Sequence, residues 1–182
     1  MGIDEANARA IVGRAAGPLL AALLLGAQLP ATAMAAGSGA GTPAFTRLAK
    51  PNAEWRRLLP PERYRILFEE DTERAGTSPL NAEKREGTYL CAACYLPLFE
   101  SKDKFESGTG WPSFARPIPG RLETKRDYRL FTPRTEYHCA RCGGHQGHVF
   151  DDGPPPTGQR WCNNGLALIF VPAGEPLPPL RD

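Results

Sequence analysis

Four of the five cysteines stand in two C-x-x-C pairs, Cys91/Cys94 in "CAAC" and Cys139/Cys142 in "CARC". Two thiolates at this spacing turn onto one metal ion at ~2.3 Å, so two pairs make a closed site of four thiolates. A closed site has no open coordination position, which makes its ion structural. The predicted ion is zinc. The 44 residues between Cys94 and Cys139 exceed the usual zinc-ribbon interval. The ion therefore clips two distant parts of the fold together, and Gly143-Gly144 leaves the second pair room to curl around it. A thioredoxin-like redox motif, two structural disulfides and an iron–sulfur centre stay open as alternatives, although the chain shows no βαβ pattern to carry the first.

The stretches around these pairs read as short strands. "GTYLC" (87–91), "LPLF" (96–99), "RLET" (121–124), "YRLF" (128–131), "TEYHC" (135–139), "HVF" (148–150) and "LALIFV" (166–171) are separated by glycine, proline and aspartate clusters. With 19 glycines and 19 prolines, the composition favours strands and turns over long helices. The predicted fold class is mainly β, a small antiparallel domain over 51–172. Two helices open it. Asn52 is the predicted N-cap of "AEWRRLL", and Pro60-Pro61 ends that helix and starts the next, which runs to about Gly76. Residues 37–50 read as a linker and 173–182 as an irregular, proline-rich tail.

Residues 1–36 read as a secretory signal: Arg9 and Arg14, an apolar run from Pro18 to Leu29, then an A-x-A site at Ala33-Met34-Ala35. The run is shorter than the ~20 apolar residues that span a bilayer. The expectation is an exported, periplasmic protein, with an uncleaved membrane anchor as the alternative. A formal net charge of +2 gives no basis for a nucleic-acid partner.

The fifth cysteine, Cys162, sits in "QRWCNNG". A buried structural thiol is the commonest fate of such a residue. Its neighbours point elsewhere. Arg160 favours a thiolate, the reactive form, and Asn163, Asn164 and Gly165 read as a polar, bent approach. "HQGHVFDDGP" adds His145 and His148, whose offset of three puts both on one side of a turn, facing one pocket. Histidine suits proton donation near neutral pH. Further zinc ligation and plain loop histidines are the competing roles, and four cysteines already fill the zinc. Asp151 and Asp152 read as turn caps. "SGTGWPSF" holds Trp111 between glycine and proline; a core ring is the default for tryptophan, and these neighbours suggest instead a ring presented on a loop, where it walls an apolar pocket.

The block from about Arg63 to Pro172 resembles the B-type methionine sulfoxide reductases, the peptide-methionine (R)-S-oxide reductases. The resemblance is carried by "TSPLNAEKREGTYLCAACYLPLF", "KFESGTGWPSF", "RTEYHCARCGGHQGHVFDDGPPPTG" and "RWCNNGLALIFVP". It implies a twisted, zinc-clipped antiparallel domain of the β-tent type, with the zinc away from the catalytic centre. Cys162 would be the nucleophile toward the R epimer of methionine sulfoxide, mainly in oxidised proteins or peptides. His145 and His148 would bind and protonate the sulfoxide oxygen, Trp111 would pack against the S-methyl group, Asn164 would organise the polar side and Arg160 would favour the thiolate. Reaction would leave Cys162 as a sulfenic acid.

Many members carry a second, resolving cysteine. Here none remains outside the metal pairs, so the implied cycle has one cysteine and a thioredoxin-like or other external thiol reductant, in a monomer. Gln146 and Trp161 stand where a leucine and a phenyl or phenol ring are common, and both are expected near the pocket. Two readings from other classes compete: a zinc-stabilised binding module, which needs no reactive cysteine, and a general thiol oxidoreductase working through the C-x-x-C pairs.

Overall fold

A computed structural model describes residues 45–128 and 132–182. The signal or anchor over 1–36, most of the linker and three residues of "YRLF" lie outside the described residues. Residues 45–50 form no regular element, with Phe45 and Leu48 packed on the core and the Leu48 N–H donating to the Arg141 carbonyl at 2.7 Å.

Two short helices come first. Helix α1 spans Asn52–Leu58, with Pro51, not Asn52, in the capping position and no side-chain cap. Pro51 lacks an N–H and has φ −60°, so the chain enters the helix one residue earlier than a capping asparagine would allow. Helix α2 spans Pro61–Phe68 with proline in its first turn, as expected. It stops at Phe68, eight residues short of Gly76, because Glu70 takes a left-handed backbone (φ 54°) that no helix accommodates. Trp55 of α1 stacks on Phe68 at 5.3 Å, so the pair buries its apolar side as a unit.

The strands are β1 (Gly87–Cys91), β2 (Pro97–Glu100), β3 (Lys104–Phe105), β4 (Ser113–Phe114), β5 (Leu122–Asp127), β6 (Arg134–Cys139), β7 (His145–Phe150), β8 (Arg160–Asn163) and β9 (Leu168–Pro172). They form two antiparallel sheets, ordered β2-β1-β9 and β3-β4-β8-β7-β6-β5. The mainly β class is as expected. Strands β3, β4 and β8 went unread, and the first residues of "LALIFV" form a 3₁₀ turn, Gly165–Ala167, before β9. Edge strand β5 carries Glu123, Lys125 and Arg126 on exposed or half-exposed positions, which blunts edge-to-edge pairing.

The core lies between the sheets. Tyr89 and Phe99 from β1 and β2 meet Phe114, Tyr137 and Trp161 from β4, β6 and β8. Phe99 stacks on Phe114 at 4.1 Å, and the edge of Tyr137 meets Trp161 at 4.9 Å. Trp161 therefore faces the core, away from Cys162, as alternation along β8 requires. That corrects its expected place near the pocket.

Candidate active site

Cys162 lies in the middle of β8, not on a bent approach to a strand. Its cross-strand partners are Ser113 on β4 and His148 on β7. Residues directly opposite in an antiparallel pair share a face, so the thiol, a hydroxyl and an imidazole line one surface. Gly147 makes the approach possible, because a Cβ there would sit 1.9 Å from the Cys162 carbonyl oxygen.

The histidines owe their common face to a register shift. In a regular strand, residues three apart point to opposite sides. Here His138 pairs with His145 while Tyr137 pairs with Gly147, so the strand bulges at Gln146. The bulge brings the two imidazoles together, edge to face at 5.6 Å. Each is held by its own carboxylate: His145 Nδ1 lies 2.8 Å from Glu136 Oε1, and His148 Nε2 lies 2.8 Å from Asp127 Oδ2. Asp127 also accepts from Arg134 at 2.5 Å. Burial pushes His148 below the ordinary imidazole value, and the Asp127 bond only partly restores it. Burial works against ionising Glu136, but the His145 bond and the nearby Lys125 ammonium outweigh it and hold its pKa low.

A cavity of about 130 Å³ opens at Cys162. Trp111 and Phe150 supply its apolar side, and His148, Asn163, Asn164, Thr72 and Arg134 its polar side. Of the residues singled out from the sequence, Cys162, His148, Trp111 and Asn164 line it. His145 and Arg160 do not. His145 is buried against Glu136. Arg160 is buried between the Phe150 ring (4.3 Å) and the Asp152 carboxylate, which it grips with two bonds of 2.8 and 2.9 Å. Asp152 thus pairs with Arg160 rather than capping a turn.

The Cys162 thiol is pushed up from its ordinary value, chiefly by burial; Arg160 and the hydroxyls of Thr109 and Ser113 pull it down without cancelling that shift. Arg160 favours the thiolate as expected, yet burial outweighs it. Alkylation by iodoacetamide should therefore rise about tenfold per pH unit from pH 7 and keep rising past pH 9, because only the thiolate reacts. A rate that levels off near pH 7 would show that the cation outweighs burial.

Asn163 and Asn164 are buried rather than bent into solvent. The Asn164 side chain donates to the Gln146 carbonyl at 3.1 Å and accepts from the Glu73 N–H at 3.1 Å. Asn163 accepts from the Tyr137 hydroxyl at 2.8 Å and donates to the Asn164 carbonyl at 2.8 Å. Gln146 is fully buried between the metal site and the pocket: its amide nitrogen lies 3.5 Å from the Cys91 sulfur, and its oxygen accepts from Asn163 of the cavity wall at 3.4 Å.

All five cysteines are free. The sulfurs of Cys91, Cys94, Cys139 and Cys142 lie within 4.8 Å of one another, with Cys91–Cys142 and Cys94–Cys139 each at 3.6 Å. A tetrahedron with ~2.3 Å arms has edges of ~3.8 Å, so the four fit one ion. The charges ask for one too. Burial and the neighbouring sulfurs push Cys91 up, while hydrogen bonds from the other three thiols pull Cys94 down. Four thiolates packed this closely and out of water need a cation to offset their charge. The C-terminal tail closes over it: the Arg181 N–H donates to the Cys94 carbonyl at 3.0 Å, and Arg141 holds the Arg181 carbonyl at 2.5 Å and the Asp182 carboxylate.

The SelR domain matches residues 59–172, a span that holds both the cavity and the four-cysteine cluster. The peptide methionine sulfoxide reductase MsrB of Agrobacterium fabrum is 50% identical over 127 residues, 69% of this chain and 94% of that protein. The MsrB of Pseudomonas putida is 51% identical over 128 residues, 69% of this chain and 96% of that protein. The chloroplastic peptide methionine sulfoxide reductase B1 of Arabidopsis thaliana is 51% identical over 116 residues, 63% of this chain and 57% of that protein. A chain with this match over nearly the whole length of bacterial relatives belongs to the MsrB family of peptide methionine sulfoxide reductases.

Proposed function

We propose that this protein repairs oxidised proteins by reducing methionine-R-sulfoxide residues to methionine, with Cys162 as the attacking group. The observation that carries the reading is a single thiol set directly across from His148 in a cavity walled by Trp111. The cavity opposes a ring to a set of polar groups, so the S-methyl group and the sulfoxide oxygen have distinct places. The R hand follows from the family.

The chemistry balances with the groups at hand. Cys162 Sγ–H and the sulfoxide give Cys162 Sγ–OH and methionine. The sulfur–oxygen bond of the substrate breaks, one forms on Cys162, and the substrate sulfur gains the two electrons that the cysteine sulfur loses. The proton needed on the oxygen comes from the Cys162 Sγ–H, and His148, across the strand, relays it. The His145–Glu136 pair sits against His148 and fixes its ring.

Regeneration is by an external thiol of the thioredoxin type. One thiol displaces water from the sulfenic acid to form a mixed disulfide, and a second releases Cys162. The support is that the other four cysteines are gathered in the metal cluster. One turnover without reductant should yield one methionine per chain and a sulfenic acid that dimedone traps. An internal disulfide in its place would contradict the one-cysteine cycle.

The ion held by Cys91, Cys94, Cys139 and Cys142 is zinc in this reading, and it supplies positive charge that lets four thiolates share a buried site. The enzyme works as an exported, periplasmic monomer, with residues 1–36 as signal or anchor; the support is the order of basic, apolar and small residues there. Among the described residues no helix is long and apolar enough to cross a membrane. The reading is tested by assaying separate R and S epimers of a protected methionine sulfoxide with dithiothreitol. Loss of the R epimer alone is expected. No turnover of either by zinc-loaded, folded protein would overturn it in favour of a binding module.

A further inference from the structure

Glu73 touches no catalytic group through its side chain, yet it joins the two walls of the cavity. It lies 7% exposed in the strap that follows α2. Its carboxylate accepts the Gly165 N–H at 2.5 Å on one oxygen and the Leu166 N–H at 2.9 Å on the other. These are the opening amides of the 3₁₀ turn after β8, which have no partner inside the turn, and an anion is the best acceptor for them. The Glu73 peptide reaches the other way. Its carbonyl accepts the Trp111 indole N–H at 3.1 Å, and its N–H donates to Asn164 Oδ1 at 3.1 Å.

The strap has no slack around these bonds. A Cβ on Gly165 would meet the Ser78 hydroxyl oxygen at 1.9 Å, so strap and turn are in direct contact. The Gly76 N–H donates to the Gly110 carbonyl at 2.8 Å, a second tie to the loop that carries Trp111. Thr72, next to Glu73, is itself on the cavity wall.

We propose that Glu73 is a positioning residue that sets the width of the substrate cavity: its carboxylate fixes the strap on the Gly165–Leu166 amides, and the strap's own carbonyl fixes the Trp111 ring. The inference rests on the reading of the cavity as a methionine sulfoxide site. Trp111 meets the methyl side of the substrate rather than the reacting atoms. Loosening it removes binding common to ground state and transition state, which appears in KM and not in kcat.

Glu73→Gln tests this with the shape kept. One oxygen becomes an NH₂ facing an N–H donor, so one of the two amides loses its acceptor. With the full zinc-loaded chain, KM for the R-sulfoxide should rise about tenfold, and kcat should fall less than about threefold. The ¹H–¹⁵N indole resonance of Trp111, identified by its absence in Trp111→Phe, should move while those of Trp55 and Trp161 stay. Unchanged KM and an unmoved Trp111 signal in folded Glu73→Gln would overturn the proposal. So would a shift shared by all three indoles, which would make Glu73 a general support of the fold. If Glu73→Gln fails to fold, Glu73→Asp reads the same two quantities, with a smaller rise in KM expected and the same two outcomes overturning it. A wild type that reduces neither epimer would instead sink the sulfoxide reading, and the indole resonance would still decide whether Glu73 holds Trp111.

Discussion

Cys162→Ser is expected to lower methionine-R-sulfoxide reduction by about 10³-fold or more, the scale of losing a covalent nucleophile. Serine carries no sulfur that can lose two electrons to the sulfoxide, so it cannot take up the substrate oxygen. The variant should fold, since Cys162 is half-buried with hydroxyl neighbours at Thr109 and Ser113. His148→Gln is the companion. It removes the imidazole opposite Cys162 while keeping the thiol, so a loss of about 10²- to 10⁴-fold is expected from a missing proton carrier. The two are read from methionine released per unit time, with circular dichroism and zinc content as controls. Serine protein retaining activity within tenfold of wild type would remove Cys162 from the mechanism.

The second large effect is on stability. Cys91 ends β1 in the three-stranded sheet, and Cys139 ends β6 in the six-stranded one. An ion bound to both, with Cys94 and Cys142, bolts the sheets together at one end of the core. Structural zinc sites of this type bind with about 10–16 kcal/mol, as much as the whole stability of about 5–15 kcal/mol of an ordinary domain. One zinc per chain is therefore expected, and stripping it should lower the midpoint of thermal unfolding by more than about 15 °C. Cys139→Ser should lose both zinc and cooperative unfolding. It would do so with Cys162 untouched, which separates a structural ion from a catalytic one. Metal-free protein with an unchanged midpoint would show that the four thiols hold the fold without an ion.

The four-cysteine cluster is the most legible part of the chain, because residue type and C-x-x-C spacing are local facts. The strands β1, β2, β5, β6, β7 and β9 were also visible, within a few residues at their ends, from short apolar runs between turn residues. What escaped depends on partners far away in sequence. Strand β8 reads as a polar approach because Asn163 and Asn164 look solvated. Their amides are instead satisfied by Tyr137, Gln146 and Glu73 across long stretches of chain. Strands β3 and β4 have two residues each, too few for any alternation to register. The helix was extended to Gly76 because nothing in "FEED" announces the left-handed Glu70. Glu73 was lost inside that false helix. The offset of His145 and His148 read as a turn, whereas a bulge on β7 produces the same shared face.

The place of Cys162 in the sheet governs who must move. Strand β8 is paired on both sides, with β4 and β7, and the Asn163 N–H next to the thiol is tied to the Pro112 carbonyl at 2.9 Å. A sulfur on a strand so flanked has a stationary backbone. It cannot swing its oxidised form out to a carrier, as a cysteine on a mobile loop does. In the proposed cycle, substrate and electron donor would therefore take turns at one fixed address. An oxidised chain that met no donor would wait with the oxygen still on Cys162.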